Sequence, residues 1–272
     1  MTAISQFATL PAPAHWRTID FIADLHLSES EGGVFSAWQR YMLHTSADAV
    51  FILGDLFEVW VGDDSAVPGS FEARCGQTLA ASAAAGVFFM HGNRDFLMGG
   101  GFLARHRVQP LADPTVLTFG GRRYLLTHGD LLCTGDAAYQ QFRAQVRNPA
   151  WQQSMLARPL AERQAIARQT RAISQQHQAE AGFYAGIDAD LARRWLTEAA
   201  AATLIHGHTH RPGDHPLGVD AAGQPLTQVT LSDWHVTGST QRAQVLRLTA
   251  TGGLQRIAPG QALRDERKAT GG

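Results

Sequence analysis

Short apolar runs that end abruptly in polar residues recur along this chain. Five of them are built alike, with four or five apolar or β-prone residues followed by Asp, Asn or His at the carboxyl end. They are TIDFIADLH (18–26), AVFILGD (49–55), GVFFMHGN (86–93), RYLLTHGD (123–130) and ATLIHGH (202–208). Runs of this length are typical of strands that are buried on both faces. The pattern predicts a sheet core whose strands carry polar side chains at their carboxyl ends.

Helix-like stretches separate these runs. Their spacing predicts helices over 34–47 and 70–85, and a long helical region from about 136 to 200. Pro149 and Pro159 are expected to break the long region, because proline disrupts a helix interior. The alternation of strands and helices therefore predicts an α/β fold that carries a helical insertion.

Other stretches predict antiparallel pairing. Residues 115–127 indicate a hairpin with Gly120-Gly121 at its turn. Two later runs, 227–234 and 243–249, are expected to form a second sheet with antiparallel character.

The composition is that of an ordinary globular protein. The 272 residues are 44% apolar and 17% charged with a net charge of −1, which suits one large α/β domain and gives no sign of a nucleic-acid partner. Two cysteines suit a reducing compartment, and no apolar run is long enough to span a bilayer. The first residues lack the pattern of a signal peptide, so we expect a cytoplasmic protein. The single lysine, Lys268, excludes lysine-based chemistry in the body of the chain.

Seven side chains at the strand ends make a candidate metal centre. They are Asp24, His26, Asp55, Asn93, His128, His208 and His210. In open α/β sheets, ligands bind outside the carboxyl ends of the strands. Oxygen and nitrogen ligands without cysteine suit Mn, Fe, Zn or Mg, and a carboxylate such as Asp55 can bridge two ions. One such motif is often a turn, but five in order predict a dinuclear site.

This ordered set, DLH … GDLFE … GNRD … HGD … GHTH, resembles the calcineurin-like metallophosphoesterases. The resemblance implies a four-layered α/β/β/α sandwich. It also implies that one metal is held by Asp24, His26, Asp55 and His210. The other would be held by Asp55, Asn93, His128 and His208, with Asp55 as the bridge.

Arg94 stands where most of that superfamily has a histidine that can protonate the leaving group. A guanidinium cannot donate a proton near neutral pH, but it can bind phosphate oxygens and stabilise charge. A pyrophosphate expels a phosphate monoester, whose second pKa is about 6, and it does not require a proton donor. Arg94 therefore favours an anhydride substrate over a simple ester.

The extended motifs, FIADLHLS, LGDLFEVWVGDD, HGNRDFLMG, HGDLLCTGDAAYQQFR and IHGHTHRP, resemble those of the UDP-2,3-diacylglucosamine pyrophosphatases of lipid A synthesis over about residues 18–249. The resemblance implies two Mn²⁺ ions per chain and attack of an activated water on the α-phosphorus. The products would be UMP and 2,3-diacylglucosamine 1-phosphate. Asn93, Arg94 and His208 would contact the phosphates and form the catalytic set.

By the same resemblance, Asp136, Arg171, Ser174 and Gln178 would bind the rest of the substrate. Asp136 is equally suited to cap the helix that follows it, and it can do both. The family carries an asparagine and a lysine after the motif RA-x-S; here Gln178 stands near the first position and an alanine near the second. We expect an arginine, Arg171 or Arg168, to supply the missing charge.

The helical insertion is basic and amphipathic. Between Arg143 and Arg171 lie six arginines against Glu162 alone, interleaved with apolar residues such as Trp151 and Met155. Such a segment is either a packed cap with a solvated face or a surface for acyl chains, acidic ligands or a membrane, and these readings are compatible. We expect peripheral contact with the cytoplasmic face of the inner membrane.

These observations predict a domain organisation and leave alternatives for the function. We expect an N-terminal extension (1–17), one domain (18–257) with its helical cap at about 136–200, a flexible tail (258–272), and a monomer.

One alternative is a metallophosphoesterase acting on another nucleotide diphosphate or a phosphodiester. Another is a non-catalytic scaffold, which the complete ligand set argues against. A nuclease lacks support from the charge.

Polar residues beside the motifs have structural explanations. Asp63 and Asp64 are expected to cap a helix or to orient histidines. His91 and His206 lie two positions before candidate ligands and are expected to pack behind them. Asp95 is expected to brace the loop that carries Asn93 and Arg94.

Overall fold

The computed structural model describes residues 7–181, 186–237 and 240–264, with the backbone alone for 172–181 and 240–241. Two six-stranded sheets and a two-stranded ribbon lie within these residues. The strands are β1 (Ala8–Pro11), β2 (Thr18–Ile22), β3 (Ala49–Leu53), β4 (Gly86–Met90), β5 (Val108–Leu111), β6 (Thr115–Phe119), β7 (Arg122–Leu126), β8 (Thr203–His206), β9 (Gly213–Val219), β10 (Pro225–Thr230), β11 (His235–Thr237), β12 (Thr240–Arg242), β13 (Val245–Thr249) and β14 (Leu254–Ile257).

The helices fall between the strands as the spacing predicts. They are α1 (Gly32–His44), α2 (Phe71–Ala80), α3 (Gly100–Arg105), α4 (Ala137–Val146), α5 (Pro149–Leu156), α6 (Leu160–Ala181) and α7 (Ala189–Glu198), with short 3-10 helices at Asp63–Ser65, Asp130–Leu132 and Pro259–Ala262. Pro149 occupies the first turn of α5, where its missing N–H costs nothing. α6 begins directly after Pro159, so both prolines separate helices as predicted.

Both sheets are mixed, each with three parallel and two antiparallel pairings. In the first, ordered β14-β13-β2-β3-β4-β5, strands β2 to β5 are parallel to one another. Strand β13 pairs antiparallel with β2 on one side and with β14 on the other. The second is ordered β1-β6-β7-β8-β10-β9 and includes the predicted hairpin of β6 and β7. Gly120 and Gly121 form its turn with φ of 55° and 73°, the positive values that a two-residue hairpin of this type requires.

Three separate apolar layers show how the elements stack. The first layer lies between α1, α2 and α3 and one face of the β2–β5 sheet, with Trp38 and Ile52 among its residues. The second lies between the two sheets and includes Phe51 and Leu126, and the third packs α7 on the outer face of the second sheet through Trp195. The order helix, sheet, sheet, helix confirms the predicted four-layered α/β/β/α sandwich.

One topological prediction was wrong. The runs 227–234 and 243–249 do not share a sheet, because β10 pairs with β8 and β9, whereas β13 pairs with β2 and β14. Residues 231–234 are not a strand. Alternating apolar positions predict strands but do not encode which distant strand becomes the partner.

The predicted domain limits stay predictions. The structure places β1 on the edge of the second sheet, beside β6. At the other end, Ala262 is buried, and the Nε of Arg264 donates to the carbonyl of Thr45 at 3.2 Å. Residues 265–272 lie outside the described part of the chain.

Parallel pairing continues past the strand ends and builds the candidate site. Asp24 N donates to Gly54 O and His26 N donates to Asp55 O, both at 3.1 Å, so the segments after β2 and β3 stay side by side. The carboxyl ends of β4, β7 and β8 deliver their own polar residues to the same edge.

Candidate metal centre

One group of candidate ligands consists of Asp24, His26 and His210, whose donor atoms lie within 4.8 Å of one another. The Nε2 atoms of the two histidines face each other at 3.1 Å. The Nε2 of His210 is 3.4 Å from Asp24 Oδ1, a buried oxygen that has no hydrogen-bond partner among the described residues. Three lone-pair-bearing atoms thus converge on one point.

A second group lies deeper, around His128. Its Nε2 is 3.0 Å from Asn93 Oδ1 and 3.7 Å from Asp55 Oδ1. The Nδ1 of His208 is 2.9 Å from the same Asn93 oxygen. Asp24, Asp55 and His128 also form a set of donor atoms within 4.8 Å, so the two groups are contiguous. The structure brings together all seven residues that the strand ends predicted.

The backbone at these residues is unusual. Seven described residues other than glycine have positive φ, and five of them are candidate ligands, namely Asp24 (54°), His26 (49°), Asp55 (53°), His208 (66°) and His210 (52°). Positive φ costs free energy for residues with a Cβ, and such strain concentrates at functional sites. The fold therefore turns these side chains inward at a conformational cost.

Burial keeps two of the four candidate-ligand histidines uncharged. It lowers the pKa of His26 and His208 to about 3, so both rings are neutral and have a lone pair available near pH 7. Burial also raises the pKa of Asp55 to about 7. An ionised Asp55 is therefore disfavoured unless positive charge lies beside it.

Two shifts show that the pocket attracts positive charge. Burial alone would lower the pKa of His128, but the charges of Asp55 and Asp130 outweigh it and raise that pKa to about 9. Burial likewise opposes the charged form of His210, and the nearby carboxylate of Asp24 raises its pKa nonetheless. A cation placed here would meet uncompensated negative charge.

The outer ring nitrogens are oriented as those of metal-binding histidines are. The Nδ1 of His128 donates to the carbonyl of Leu53 at 2.9 Å, which leaves Nε2 facing the pocket. The Nδ1 of His26 is 3.4 Å from Glu58, and that of His210 is 3.8 Å from Asp233. Metal-ligating histidines usually donate their second N–H to such acceptors. The donor set and its surroundings fit divalent cations.

Residues 17–212 match the family model described as calcineurin-like phosphoesterase. The chain belongs to the calcineurin-like phosphoesterase family. Members of this metallophosphoesterase family depend on divalent metal ions, and the phosphoesterase described here is accordingly a hydrolase.

Three relatives of this phosphoesterase are each named UDP-2,3-diacylglucosamine hydrolase. That of Chromobacterium violaceum is 45% identical over 226 residues, which cover 80% of this chain and 90% of the relative. Those of Stenotrophomonas maltophilia (41% over 247 residues) and Xanthomonas campestris (43% over 249 residues) each cover 85% of this chain and 95% of the relative.

The phosphoesterase has its predicted phosphate-binding arginine at the mouth of the centre. The backbone N–H of Arg94 donates to Asp55 Oδ1 at 2.9 Å, and its side chain remains 24% exposed. Asp95 braces the loop as predicted, because it is buried and accepts from the N–H groups of Gly92 (2.8 Å) and Leu56 (2.7 Å).

The predicted cap residues have separate positions. Asp136 is the N-cap of α4, where its carboxylate accepts from Tyr139 N at 2.9 Å. Arg171 on α6 lies 2.9 Å from Glu58. Ser174 and Gln178 belong to α6, but their side chains lie outside the described part of the structure. Contact of these four residues with substrate stays a prediction.

The neighbouring polar residues have structural roles. Asp63 accepts from the N–H groups of Gly99 and Phe102, both at 2.8 Å, and so caps α3 as predicted. Asp64 instead pairs with the buried Arg163 of α6. His91 lies 2.8 Å from the carbonyl of Met98.

His206 packs behind the centre, as expected. The ring is completely buried, and its Nε2 lies 3.1 Å from the hydroxyl of Thr230. Burial lowers the pKa of His206 to about 4, so the ring is neutral near pH 7.

An anchor beneath the cap was not predicted from the sequence. Asp130 is fully buried and accepts from Tyr139 Oη and Arg143 Nε, each at 2.7 Å. The ring of Tyr139 lies beside that of His208, with centroids 5.9 Å apart. Asp130 follows His128 by two positions in HGD, and strand-like alternation there could have indicated that both side chains point toward the site.

Proposed function

We propose that this phosphoesterase hydrolyses the pyrophosphate bond of UDP-2,3-diacylglucosamine and releases UMP and 2,3-diacylglucosamine 1-phosphate (lipid X), a step of lipid A biosynthesis. The observation that carries the proposal is the convergence of all seven predicted ligands beside Arg94. The relatives at 41–45% identity, named for this substrate, support the choice of substrate.

In this proposal the centre holds two Mn²⁺ ions. Asp24, His26, Asp55 and His210 would hold one, and Asp55, Asn93, His128 and His208 the other. Two such ions would supply a water of lowered pKa and would offset negative charge on the phosphoryl oxygens. The water oxygen would join the α-phosphorus, and the bond from that phosphorus to the bridging oxygen would break. The bridging oxygen then leaves with the lipid phosphate.

Arg94 would bind and orient the phosphates without giving up a proton. Its side chain is 24% exposed and its Nη1 lies 3.8 Å from Glu58, beyond hydrogen-bond distance, so the guanidinium has donors to spare for phosphate oxygens. The leaving group needs no proton donor, because a phosphate monoester is stable as an anion near neutral pH. Asn93 and His208, which meet at 2.9 Å, would contact the same phosphates.

The cap would bind the lipid part of the substrate. Exposed apolar side chains on it include Phe142 (37% exposed) and Leu156 (42% exposed), which suit acyl chains or a membrane surface. Asp136, Arg171, Ser174 and Gln178 would bind the polar part. None of the described helices is both long and apolar enough to cross a bilayer. We propose a monomer that associates peripherally with the cytoplasmic face of the inner membrane.

The test is release of UMP from UDP-2,3-diacylglucosamine with Mn²⁺ and with EDTA. We expect EDTA to abolish turnover, and Asn93→Ala and Arg94→Ala each to lower kcat by about 100-fold. Arg40→Ala, which removes an exposed arginine of α1, is the matched control and should leave turnover unchanged. Hydrolysis in ¹⁸O-water should label UMP and leave the lipid phosphate unlabelled.

Two results would redirect the proposal. Metal-dependent turnover of a generic phosphodiester or of another nucleotide diphosphate, with none of UDP-2,3-diacylglucosamine, would keep the metal centre and discard the substrate. Label in the lipid phosphate would discard attack at the α-phosphorus.

A further inference from the structure

Glu58 touches both the metal centre and the cap. Its Oε2 is 3.4 Å from His26 Nδ1, the ring nitrogen that faces away from the metal centre. Its Oε1 forms an ion pair with Arg171 Nη2 of α6 at 2.9 Å and lies 3.8 Å from Arg94 Nη1. The carboxylate is only 17% exposed, and each oxygen faces a different partner.

The backbone fixes Glu58 at this place. Its N–H donates to the carbonyl of Leu27 at 3.1 Å, which ties it to the loop that carries His26. Two residues later, the N–H of Trp60 donates to the carbonyl of Arg94 at 3.0 Å. Glu58 therefore lies between the two loops that carry a candidate metal ligand and the candidate phosphate-binding arginine.

The cap reaches this segment through charged contacts on one helix. Arg163 of α6 is buried and donates to the carbonyl of Val61 and to Asp64. About two turns later, Arg171 reaches Glu58. The first contact is buried and the second is open to solvent, with Arg171 44% exposed. Of these two arginines, Arg171 is therefore the one that could also contact a ligand at the mouth of the centre.

The one carboxylate of Glu58 cannot accept from all the N–H donors of two guanidinium groups. Each guanidinium has five N–H donors, and Glu58 takes few of them. Arg94 is 24% exposed, and its Nη1 lies 3.8 Å from Glu58 Oε1, beyond hydrogen-bond distance. Both arginines can therefore bind phosphate oxygens while Glu58 continues to hold them.

We propose that Glu58 is a positioning residue with two separable roles. Through Oε2 it orients His26, and through Oε1 it holds Arg94 and Arg171 together at the mouth of the centre, ready for the substrate's phosphates. The second role rests on the proposed function, whereas the first requires only that the centre binds a divalent cation.

Two substitutions separate these roles. Glu58→Gln keeps the length of the side chain and a carbonyl oxygen that can accept from His26 Nδ1–H, but it removes the charge that holds the arginines. Glu58→Ala removes both functions. The matched control is Glu29→Gln, which neutralises an exposed glutamate that is paired with Arg74 at a similar distance of 3.0 Å.

We expect Glu58→Gln to raise KM about tenfold with kcat nearly unchanged, because charge-assisted bonds that place the arginines are lost. Its Mn²⁺ affinity, measured by calorimetry, should stay within about twofold of the unaltered protein. Glu58→Ala should raise KM equally and should also lower Mn²⁺ affinity about tenfold, the size of effect that removal of a histidine-orienting partner has elsewhere. Hydrogen exchange over 160–171 should accelerate in both variants and not in Glu29→Gln.

Several outcomes would overturn the proposal. If Glu58→Gln lowers KM, the carboxylate competes with phosphate and does not position the arginines. If both variants keep KM and Mn²⁺ affinity within twofold, the contacts are incidental. A loss of Mn²⁺ affinity in Glu58→Gln equal to that in Glu58→Ala would remove the separation of roles. Failure of the proposed function would appear differently, as no turnover in the unaltered protein, and would leave the Mn²⁺ and exchange measurements intact.

Discussion

The metal centre and the helical cap are built in opposite ways. Asp55 and His128 are at most 2% exposed, and the loops around them are held by backbone hydrogen bonds that continue the sheet. The described side chains of the cap, α4 to α6, are mostly exposed. Met155 packs on the first apolar layer, and charged contacts such as Arg143 with Asp130 and Arg171 with Glu58 join the cap to the rest of the chain. The centre is therefore organised before any ligand arrives, whereas the position of the cap depends on a small apolar contact and a few ion pairs.

This difference separates two kinds of substitution. A change at the centre should affect chemistry with little loss of stability, because strained backbone and buried like charges already cost free energy there. A change at a cap anchor should loosen one part of the molecule and affect binding through position. Substitutions at Asp55, Asp130 and Asp136 test that separation, and we expect the largest effect at Asp55.

Asp55→Asn should lower kcat/KM by about 1000-fold, since loss of the carboxylate that we propose bridges two ions would remove several kcal/mol of transition-state stabilisation. The metal-free variant should be at least as stable as the unaltered protein. Burial already raises the pKa of Asp55 to about 7, so the amide removes a charge that the fold tolerates poorly. The rise in Tm that Mn²⁺ produces should disappear. Thermal unfolding with Mn²⁺ and with EDTA measures both effects.

The control for that experiment is Asp190→Asn, which neutralises an exposed aspartate of α7. It should change neither turnover nor the Mn²⁺-dependent rise in Tm. Loss of stability in metal-free Asp55→Asn would contradict the view that this carboxylate is kept for function at a cost to the fold.

Asp130→Asn should destabilise the cap at α4. This buried carboxylate accepts from Tyr139 Oη and Arg143 Nε, and the variant leaves the charge of Arg143, which is 15% exposed, poorly compensated. Breaking a buried pair on one side costs about 3 kcal/mol. We expect that loss in urea unfolding, together with faster hydrogen exchange over 137–146.

An exposed ion pair on the cap is the control for Asp130→Asn. Arg158 and Glu162 are four positions apart on the surface and about half exposed, so Glu162→Gln should change stability by less than about 0.5 kcal/mol. Equal effects of the two substitutions would mean that α4 is held mainly by apolar packing, and the contrast between centre and cap would then be weaker than we argue.

The same contrast explains what could be predicted from the sequence. The ligands were predictable because each follows a buried strand, and parallel strands end at one edge, which joins even His26 and His210 across 184 positions. The layered fold followed from the same alternation. Pairing of strands β10 and β13 could not be predicted, because apolar alternation does not specify a partner.

Contacts of the cap left no such signal. Glu58 follows Asp55 by three positions in GDLFE, outside the alternating strand, and its partner Arg171 is one of six arginines between positions 143 and 171. Asp130 was hidden for a related reason, because a Gly-Asp pair after a strand is a common turn. Long side chains in solvent-facing segments can form many alternative ion pairs, and their sequence does not select one.

The smallest effect concerns the two roles open to Asp136. Its carboxylate caps α4 by accepting from Tyr139 N at 2.9 Å, and we propose that it also contacts the substrate. Asp136→Ser keeps a capping oxygen and removes the negative charge, whereas Asp136→Ala removes both. We expect Asp136→Ala to cost about 1 kcal/mol of stability and Asp136→Ser to cost little. Both should raise KM about fivefold, since each loses one hydrogen bond to the substrate, worth about 1 kcal/mol.

Urea unfolding and steady-state kinetics on the two variants decide between the roles. If Asp136→Ser keeps both the stability and the KM of the unaltered protein, the residue is a helix cap alone. Substrate recognition at this end of the cap would then fall to the side chains of α6. If Asp136→Ser raises KM at unchanged stability, the start of α4 contacts substrate directly, and Asp130, which fixes α4 to the centre, sets the distance between that contact and the metal ions.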